Sequence, residues 1–409
     1  MYLENIAYIS FDVFPSQKGA ATHIAAFSQS LAQAFGKIYL VTVSSENIIT
    51  ESSYKIPSII HIQLPAIGET LIHRILYFRR HLMEWLKDKR FASIHIRSAF
   101  EGFPIVLNKH KYCKKLIFEV NGLPSIELKY RYPAVADDKE LLHKLYFQEQ
   151  ICLKTSDLII TPSPVTSEYL QTRDIPENKI KVIPNGLDLN KFTYRLPNQN
   201  RKKLVSYALA NDSNYKMIYF GTLSSWQGVN LTIEALALIN HDIAVTLTII
   251  GHGKNYQIKA LEKLAAKLKV TEKLTILNPL PQTELVEHIH SADIVLAPLT
   301  ASDRNLIQGC CPLKVIESMG TGVPVIASDL PVVNHLGTNE EHFLLVKPGS
   351  AKSIKDAVLR LYADEDLAQN LAINARKQVE EKYTWEIATK ALIDAYTELG
   401  IVRDNYFGF

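Results

Sequence analysis

Short apolar segments alternate with longer segments of helical periodicity along most of the chain. Seven segments of the first half, rich in Ile, Val, Leu and Phe, are predicted as strands: 5–11, 38–43, 59–63, 93–96, 116–120, 158–162 and 181–185. Between them, segments such as 23–35 and 141–154 carry apolar residues at the three- and four-residue spacing of an amphipathic helix. Nearly continuous apolar strands separated by helices are typical of a parallel sheet that is covered on both faces.

The same alternation restarts in the second half. Six further strands are predicted at 216–221, 245–251, 274–277, 294–299, 324–328 and 343–346, and three helices follow at 350–362, 364–383 and 385–399. The polar segment 194–204, which contains a proline, interrupts the rhythm and is predicted to be a linker. The sequence therefore predicts an α/β protein of two doubly wound parallel-sheet domains, 1–194 and 195–384, followed by a C-terminal helix within 385–409.

The composition supports a folded protein of two domains. A chain of 409 residues exceeds one ordinary hydrophobic core. Apolar residues make up 47% of the chain and charged residues 21%, which excludes a disordered protein. The net charge of +3 gives no reason to expect a nucleic-acid partner. The four cysteines show no CxxC spacing, and two of them are adjacent, so we expect reduced thiols in a cytoplasmic protein.

Neither a leader peptide nor a membrane span is expected. The first residues, MYLENIAYISF, enter a strand at once and lack a basic start with a long apolar core. No apolar run approaches the roughly 18 residues that a transmembrane helix needs. The segment 71–90, however, is basic and amphipathic. Such a helix either lies on anionic lipid or packs its apolar stripe on the sheet with its basic face in solvent, and both alternatives stay open.

Glycines follow the first two predicted strands of the second domain. Gly221 lies in FGTLSSWQGVN, and Gly228 lies near the start of the next helix, where exposed amides favour an anion. An ordinary strand–helix turn explains these glycines as well. Gly251, His252 and Gly253 end the next strand, but a tyrosine stands where GxGxxG requires its third glycine. His252 is either a solvated loop residue or a contact to a bound sugar or phosphate.

The segment CPLKVIESMGTGVPVIASDLP, residues 311–331, combines features of an anion site. Pro312 suits the first position of a helix, so the amides of Leu313 and Lys314 are predicted to point from the helix N-terminus toward phosphate oxygens. Lys314 adds a full charge there, unless it is a solvated lysine. One turn later, the Glu317 carboxylate can accept hydrogen bonds from two vicinal ribose hydroxyls. A surface glutamate is the alternative, but the apolar sequence around Glu317 favours a residue with a partner.

The loop after the first strand is a second place for a diphosphate. Gly19 lies in FDVFPSQKGAATH, just before the first predicted helix, and Thr22 is the predicted N-cap. At Gly19 the backbone can approach a ligand closely. A plain connecting loop explains this glycine almost as well.

Several of these segments together resemble a known family. They are the loop around Gly19 and the strings VIPNGLDLNKF, YFGTLSSWQG, IIGHG, SADIVLAPL and CPLKVIESMGTGVPVIASDLP. They resemble glycosyltransferase family 4, the retaining, nucleotide-sugar-dependent and glycogen-synthase-like enzymes of the GT-B fold, in particular the bacterial polysaccharide type. The resemblance implies two Rossmann-like domains that face a cleft, with the acceptor mainly in the first and the nucleotide sugar mainly in the second. It also implies a final helix, here from residue 385, that returns to the first domain, and chemistry without a metal or other cofactor.

The resemblance also assigns site residues. Those implied in nucleotide-sugar binding are Gly19, Gly221, Thr222, Gln227, Gly251, His252, Gly253, Arg304, Cys311, Leu313, Lys314 and Glu317.

Four positions depart from the pattern of the family. Gly309 stands where many members have the first glutamate of a pair, of which Glu317 is the second. Thr222 and Gln227 replace the usual arginine and lysine, and Asn121 stands where a histidine is frequent.

Phosphate charge must therefore be stabilised by other groups. Negative charge builds on the β-phosphate as a nucleoside diphosphate leaves, and fixed positive electrostatics stabilise it. Lys314 is the first candidate for this role and Arg304 the second, while Thr222 and Gln227 can donate weaker hydrogen bonds. The candidate catalytic residues are Lys314, Glu119 and Asn121. Glu119 or His95 could assist the acceptor, and a structural role explains each of these two equally well.

The sequence thus predicts a retaining transferase that moves a hexose from UDP-glucose or another UDP-hexose. The predicted acceptor is a saccharide or a polyprenyl-linked saccharide, and the predicted location is the cytoplasm, with a peripheral contact to the inner membrane through 71–90. Two alternatives remain: a GT-B sugar-nucleotide epimerase, which the string around Glu317 disfavours, and a non-catalytic nucleotide-sugar-binding protein.

Overall fold

The computed structural model describes residues 4–16, 19–195 and 214–402. The chain forms two compact units. The first contains Met1–Asn185, Gln308–Cys310 and Trp385–Phe409, and the second contains Gly186–Ile307 and Cys311–Thr384. Most of the predicted linker, residues 196–204, lies outside the described residues.

The first unit is built on an eight-stranded sheet with the order β3-β4-β2-β1-β5-β6-β7-β8. Every neighbouring pair is parallel except β3 and β4. The strands are β1 (Glu4–Val13), β2 (Ile38–Val43), β3 (Thr50–Tyr54), β4 (Ile56–Leu64), β5 (Phe91–Ile96), β6 (Cys113–Glu119), β7 (Leu158–Thr161) and β8 (Ile180–Val182). All seven predicted strands are present. The polar strand β3 was not predicted; it pairs only with β4, at the edge of the sheet, where exposed side chains are tolerated.

Helices cover both faces of this sheet. They are α1 (Gly19–Phe35), α2 (Leu71–Leu86), α3 (Ala99–Val106), α4 (Lys109–Tyr112), α5 (Pro124–Arg131), α6 (Lys139–Thr155) and α7 (Pro164–Gln171). Successive residues of β1 alternate between two cores: Ala7 and Ile9 lie in one, and Ile6 and Tyr8 lie in the other. This alternation is the period-2 geometry of a strand, and it shows that the sheet is buried on both sides. Because α1 begins at Gly19, Thr22 lies inside the helix, and its predicted N-cap role is wrong.

The last helix, Trp385–Glu398, completes the core on the α1 side. The Trp385 ring packs edge-on against the His23 ring, with centroids 5.5 Å apart. The Tyr396 ring stacks on Phe35 at 5.7 Å. The predicted return of the final helix to the first domain is therefore confirmed.

The second unit contains a six-stranded, wholly parallel sheet with the order β11-β10-β9-β12-β13-β14. Its strands are β9 (Tyr215–Phe220), β10 (Val245–Ile250), β11 (Leu274–Leu277), β12 (Ile294–Ala297), β13 (Val325–Ser328) and β14 (Leu344–Val346). All six correspond to predicted strands. Because the strands are parallel, their carboxyl ends meet at one edge of the sheet, and the loops there bring distant sequence segments together.

The helices of the second unit are amphipathic segments that pack on this sheet. They are α8 (Val229–Ile239), α9 (Asn255–Lys267), α10 (Gln282–His290), α11 (Leu313–Thr321), α12 (Pro331–Asn334), α13 (Ala351–Ala363) and α14 (Glu365–Lys382). In α13, for example, Ile354, Val358 and Leu361 are buried and recur at helical spacing. A π-helical turn covers Arg304–Gln308.

Candidate functional site

Glycine loops line the carboxyl edge of the second sheet. Gly221 follows β9 with φ +127°, and a Cβ at this position would lie 3.2 Å from Lys314 Nζ. Gly251 follows the neighbouring strand β10, and a Cβ there would lie 1.7 Å from the Gly221 carbonyl oxygen. Only glycine allows the two loops to approach this closely. A Cβ at Gly253 would lie 2.6 Å from Leu223 Cδ1, so this glycine also allows a close approach. His252, the predicted contact residue between the two glycines, is exposed.

Helix α11 points its N-terminus at the same edge. It begins at Leu313, one residue later than predicted, with Pro312 as its N-cap. Pro312 supplies no side-chain hydrogen bond to the first amides. An N-terminus without a side-chain cap carries partial positive charge and favours an anion.

Lys314 lies in the first turn of this helix and is almost completely buried, with 7% of its surface exposed. Its ammonium nitrogen lies 3.9 Å from the centroid of the Tyr219 ring. Within the described part of the chain, Nζ has no hydrogen-bond partner. Burial holds the pKa of Lys314 well below its usual value, and Glu317 only partly opposes this shift. A buried amine nitrogen without a hydrogen-bond acceptor is costly, and an anion bound beside it would supply the acceptors that it lacks.

Glu317 lies one turn further along α11 and is partly buried. Burial raises the pKa of its carboxyl group to about 7, against the opposing effect of Lys314. It makes no hydrogen bond or ion pair with another described residue. Its carboxyl oxygens can therefore accept from a ligand.

Two aromatic residues organise the loop after β9, and sequence reasoning had not singled out either. The Tyr219 hydroxyl donates to the Thr222 carbonyl oxygen at 2.6 Å, which fixes the loop beside Lys314. The guanidinium carbon of Arg304 lies 5.5 Å from the Trp226 ring centroid, a cation–π distance. The available sequence signal was an aromatic residue at the end of one strand and another in the loop that follows it.

The remaining predicted nucleotide-binding residues have different surroundings. Thr222 is exposed, and Gln227 is partly buried with an Oε1 atom that has no partner in the described structure. Cys311 is buried, and the four cysteines form no disulfide. Gly19 belongs to the first unit, where it is the first residue of α1. Every residue predicted to bind the nucleotide sugar, except Gly19, therefore belongs to the second unit.

Glu119, at the end of β6 in the first unit, is the centre of a buried polar network. Its Oε2 accepts from the Tyr8 hydroxyl at 2.8 Å and lies 2.9 Å from His95 Nε2. Its Oε1 accepts from Arg97 Nε at 3.1 Å and lies 2.9 Å from His23 Nε2. Burial raises the pKa of Glu119, but His23 and Arg97 outweigh this effect and hold the pKa well below its usual value.

An ionised Glu119 can only accept hydrogen bonds, and this fixes its neighbours. Asn121 Nδ2 donates to Glu119 Oε1, so the Asn121 carbonyl oxygen points away from the carboxylate. Both oxygens of Glu119 are occupied by buried partners. A catalytic role for Glu119 and Asn121 stays a prediction, and the geometry gives Glu119 the task of orienting other groups.

Gly309 belongs to the first unit, and its backbone explains why no glutamate stands there. Its φ is +83°, and a Cβ would lie 2.6 Å from the Thr166 amide nitrogen and 2.8 Å from Thr166 Oγ1. Next to it, Gln308 Oε1 accepts from the Leu123 amide at 3.0 Å, and Gln308 Nε2 donates to Glu127 Oε1 at 2.8 Å. The loop is held against α5 and α7, with no room for a longer side chain at position 309.

Helix α2 packs its apolar stripe on the first sheet, with Ile75, Phe78, Leu82 and Leu86 buried. Arg74 Nε donates to the Ala66 carbonyl oxygen at 3.1 Å, so one donor of this guanidinium makes a hydrogen bond within the first unit. Two apolar residues of the predicted stripe, Ile72 and Leu76, remain exposed. No described helix combines the length and the apolar character needed to cross a membrane.

The residues described here also contain no group of three or more His, Cys, Asp or Glu side chains arranged to hold a metal ion.

The fold and the glycine-lined edge define a two-domain α/β protein of the GT-B class. Residues 17–191 match the family model described as Glycosyltransferase Family 4, and residues 200–378 match the model described as Glycosyl transferases group 1. These two matches together extend over most of both units. The chain therefore contains a Glycosyltransferase Family 4 domain followed by a Glycosyl transferases group 1 domain.

Curated relatives are similar at low identity. The chain is 26% identical over 264 residues to the uncharacterized glycosyltransferase MJ1607 of Methanocaldococcus jannaschii, an alignment that covers 64% of each chain. It is 26% identical over 247 residues to the amylovoran biosynthesis glycosyltransferase AmsK of Erwinia amylovora, which covers 60% of this chain and 57% of AmsK. These alignments span less than two thirds of either relative.

Solved structures support the fold over nearly the whole chain. Sucrose-phosphate synthase from Thermosynechococcus elongatus superposes with a TM-score of 0.80 at 20% identity, covering 97% of this chain and 99% of that one. Anabaena Alr3699/HepE, solved in complex with UDP-glucose, gives a TM-score of 0.71 at 15% identity, covering 96% and 99%. The predicted fold class is confirmed by this likeness.

Proposed function

We propose that this protein is a retaining glycosyltransferase that moves a hexose from a UDP-hexose to a saccharide or lipid-linked saccharide in polysaccharide or glycolipid biosynthesis. One observation carries the proposal. A buried lysine without a hydrogen-bond partner, Lys314, lies at the uncapped N-terminus of α11, with the carboxyl group of Glu317 one turn away.

A nucleoside diphosphate fits these groups. The amides at the start of α11 and the Lys314 ammonium supply positive electrostatics for the phosphates. Phosphate oxygens give Lys314 Nζ the acceptors that it lacks, and they favour its charged form. Glu317 can accept hydrogen bonds from two adjacent ribose hydroxyls.

In the proposed reaction, an acceptor hydroxyl attacks the anomeric carbon on the face that the diphosphate leaves. The new glycosidic C–O bond forms as the bond to the β-phosphate oxygen breaks, and a phosphate oxygen takes the hydroxyl proton. Lys314 and the helix N-terminus stabilise the charge that builds on the diphosphate, and Arg304, over Trp226, is a second cation for it. The diphosphate needs no protonation to leave, so the proposal includes no metal and no paired carboxylate acid.

We propose uridine as the base of the nucleotide donor and glucose as its sugar. The support is the structure of Alr3699/HepE in complex with UDP-glucose, whose fold this chain shares. A saccharide-building role is supported by the similarity to an amylovoran biosynthesis enzyme. Contact with the cytoplasmic face of the inner membrane is proposed through the exposed Ile72 and Leu76 and the exposed Arg80 of α2.

A non-catalytic nucleotide-sugar-binding protein is the second candidate. It is favoured by one feature, the uncharged Thr222 and Gln227 at two positions beside the proposed phosphate site. A measurement of UDP release from UDP-glucose distinguishes this candidate from the transferase, because a binding protein does not turn over the donor.

The test measures UDP binding by thermal shift, with GDP and ADP for comparison, and UDP release from UDP-glucose. We expect UDP to stabilise the protein most and slow hydrolysis to occur without an acceptor. Lys314→Ala and Glu317→Gln should each weaken UDP binding about 10-fold or more, a change of ~1.4 kcal/mol. The control variants are Lys352→Ala and Glu272→Gln, which change exposed residues of the same unit.

Saturable UDP binding without any turnover would support the binding protein instead. Unchanged UDP affinity and turnover in both site variants would remove the site assignment.

A further inference from the structure

The surroundings of the Lys314 side-chain nitrogen decide which form of this lysine is stable before a ligand binds. Nζ lies 3.9 Å from the centroid of the Tyr219 ring, and only 7% of the residue is exposed. The Tyr219 hydroxyl donates to the Thr222 carbonyl oxygen, and burial holds the pKa of Tyr219 well above its usual value, so this neighbour carries no charge. An ammonium ion here loses its hydration without gaining a hydrogen-bond acceptor among the described residues. The uncharged amine is therefore favoured.

Glu317 is the one described residue whose charge acts on Lys314. It lies one turn further along α11 and favours the ammonium form. Burial has the larger effect and holds the pKa of Lys314 well below its usual value. The carboxylate of Glu317 is therefore not sufficient to keep Lys314 charged in the ligand-free protein.

The charged and titratable groups of the elements packed on α11, which are α10, α14, β12 and β13, make other contacts. Arg376 of α14 donates to the Gly320 carbonyl oxygen at 2.7 Å, near the opposite end of α11. His290 of α10 and Tyr383, which follows α14, each contact a backbone carbonyl oxygen instead. The Cys311 thiol, just before α11, acts on the pKa of Tyr383. Strands β12 and β13 carry no charged residue.

Glu317 also has an altered tendency to ionise. Burial raises the pKa of its carboxyl group to about 7, so below this pH much of Glu317 is an uncharged acid. The carboxylate form accepts hydrogen bonds and donates none, which makes it the better partner for two ribose hydroxyls. Because Lys314 and Glu317 interact, the protons that they bind are counted for the pair.

We propose that Lys314 takes up a proton when a nucleotide sugar binds, and that binding of this donor therefore weakens as the pH rises. The phosphate oxygens bring both the acceptors and the negative charge that stabilise the ammonium ion over the amine. The proton comes from solvent, and below about pH 7 the proton that Glu317 releases offsets it. The inference rests on the proposed function only in taking the ligand to be a nucleotide sugar.

The first experiment measures the charge of Lys314 by NMR on the full chain, with lysine labelled with carbon-13 at Cε. The Lys314 signal is identified by its loss in Lys314→Met, and the signal of the exposed Lys352 by its loss in Lys352→Met. Without a ligand, Lys314 should titrate at a clearly lower pH than Lys352. At about pH 9, where an exposed lysine is still charged, UDP-glucose should move the Lys314 signal to the position of an ammonium ion. A Lys314 side chain that is already fully charged at this pH without UDP-glucose would overturn the inference.

The second experiment counts protons by isothermal titration calorimetry of UDP-glucose, in pairs of buffers with equal pH and different ionisation enthalpies. The phosphates of UDP-glucose lack the second ionisation of a phosphate monoester, which has a pKa of about 6, so the counted protons come from the protein. We expect an uptake of about one proton at pH ~9, and a smaller uptake or a net release at pH ~6. Where one proton is taken up, the Kd should rise about 10-fold for each pH unit.

Two variants separate the contributions of the pair. Lys314→Met should take up no proton at the higher pH and still release one at the lower pH. Glu317→Gln should keep the uptake at the higher pH and lose the release at the lower pH. The exposed control Lys352→Met should match wild type at both.

The outcomes distinguish this inference from the proposed function. Binding of UDP-glucose without proton uptake at pH ~9, or equal uptake in Lys314→Met and wild type, would overturn the inference alone. If UDP-glucose did not bind at all, the proposed function would fail, and the NMR titration of the ligand-free protein would still decide whether Lys314 is an uncharged amine.

Discussion

The ammonium nitrogen of Lys314 lies 3.9 Å from the centre of the Tyr219 ring and has no acceptor in the described part of the chain. The same tyrosine donates its hydroxyl to the Thr222 carbonyl oxygen at 2.6 Å. One side chain therefore positions both the lysine and the loop after β9. This arrangement makes the site costly for stability until an anion binds.

Replacing Lys314 with Met should separate stability from binding. Met has a similar length and no charge, so the variant should be more stable than wild type by about 1–2 kcal/mol without nucleotide. Stabilisation by UDP should largely disappear. Urea denaturation with and without UDP measures both effects, with Lys352→Met as the exposed control. A variant that is less stable than wild type and keeps its response to UDP would contradict the proposed role of Lys314.

Glu101→Gln should change how stability depends on pH. Glu101 Oε1 accepts from the Arg97 and Ser98 amides at 2.8 and 2.6 Å, while its Oε2 is buried without a partner. Burial raises its pKa to about 7. Between the unfolded pKa of about 4.3 and this value, the folded protein holds a proton that the unfolded chain releases, so stability falls as pH rises.

The variant lacks this titration. It should match wild type near pH 4.5 and exceed it at pH 8 by roughly 3–4 kcal/mol, since each pKa unit corresponds to about 1.4 kcal/mol. Urea midpoints at the two pH values measure the difference. If the stability of the two proteins changed equally between these two pH values, Glu101 would not titrate as described.

Glu119→Gln should strongly destabilise the first unit. The change removes the negative charge beside the Arg97 guanidinium, and it leaves this buried cation without its main partner. We expect a loss of about 3–5 kcal/mol. Asp12 Oδ2 accepts from Arg97 Nη1 at 3.0 Å at the exposed end of the same network, and Asp12→Asn should cost less than about 1 kcal/mol. If chemical denaturation gave the two variants similar stability, the network would not be the buried unit described above.

Gly309→Ala tests whether the loop Gln308–Cys310 of the first unit tolerates a side chain at position 309. A Cβ there meets the backbone of Thr166, so the variant should lose about 3 kcal/mol or more. Gly349→Ala is the matched control, because Gly349 has φ +77° and nothing within 4 Å of its added Cβ. Only the backbone strain of about 1 kcal/mol should appear in the control. Equal losses would mean that crowding at position 309 is unimportant.

Local pattern was sufficient to predict most elements of both sheets. Apolar runs predicted every strand except β3, whose sequence TESSY is polar because it lies at an exposed edge. The start of α1 was misplaced because Thr22 resembled a cap, although Gly19 opens the helix. The proposed nucleotide site rests on chemistry within short segments, such as Lys314 and Glu317 on one helix.

Features that depend on distant residues could not be predicted. Tyr8 and Glu119 are 111 residues apart, yet they share a hydrogen bond inside the first sheet. The sequence marked Gly309 as a departure from the family pattern but gave no reason for it. The reason is the position of Thr166, which only the folded chain reveals.

The contact between His95 and Tyr396 joins residues 301 positions apart, with 2.6 Å between His95 Nδ1 and the tyrosine hydroxyl. During synthesis, the ribosome therefore releases the final helix long after the strands that it must cover. Until then, the α1 side of the first sheet keeps aromatic surface uncovered around Phe35 and Phe27. A gene fragment that ends at residue 194 would encode an unfinished domain, and its product should aggregate unless the final helix is supplied as a separate peptide.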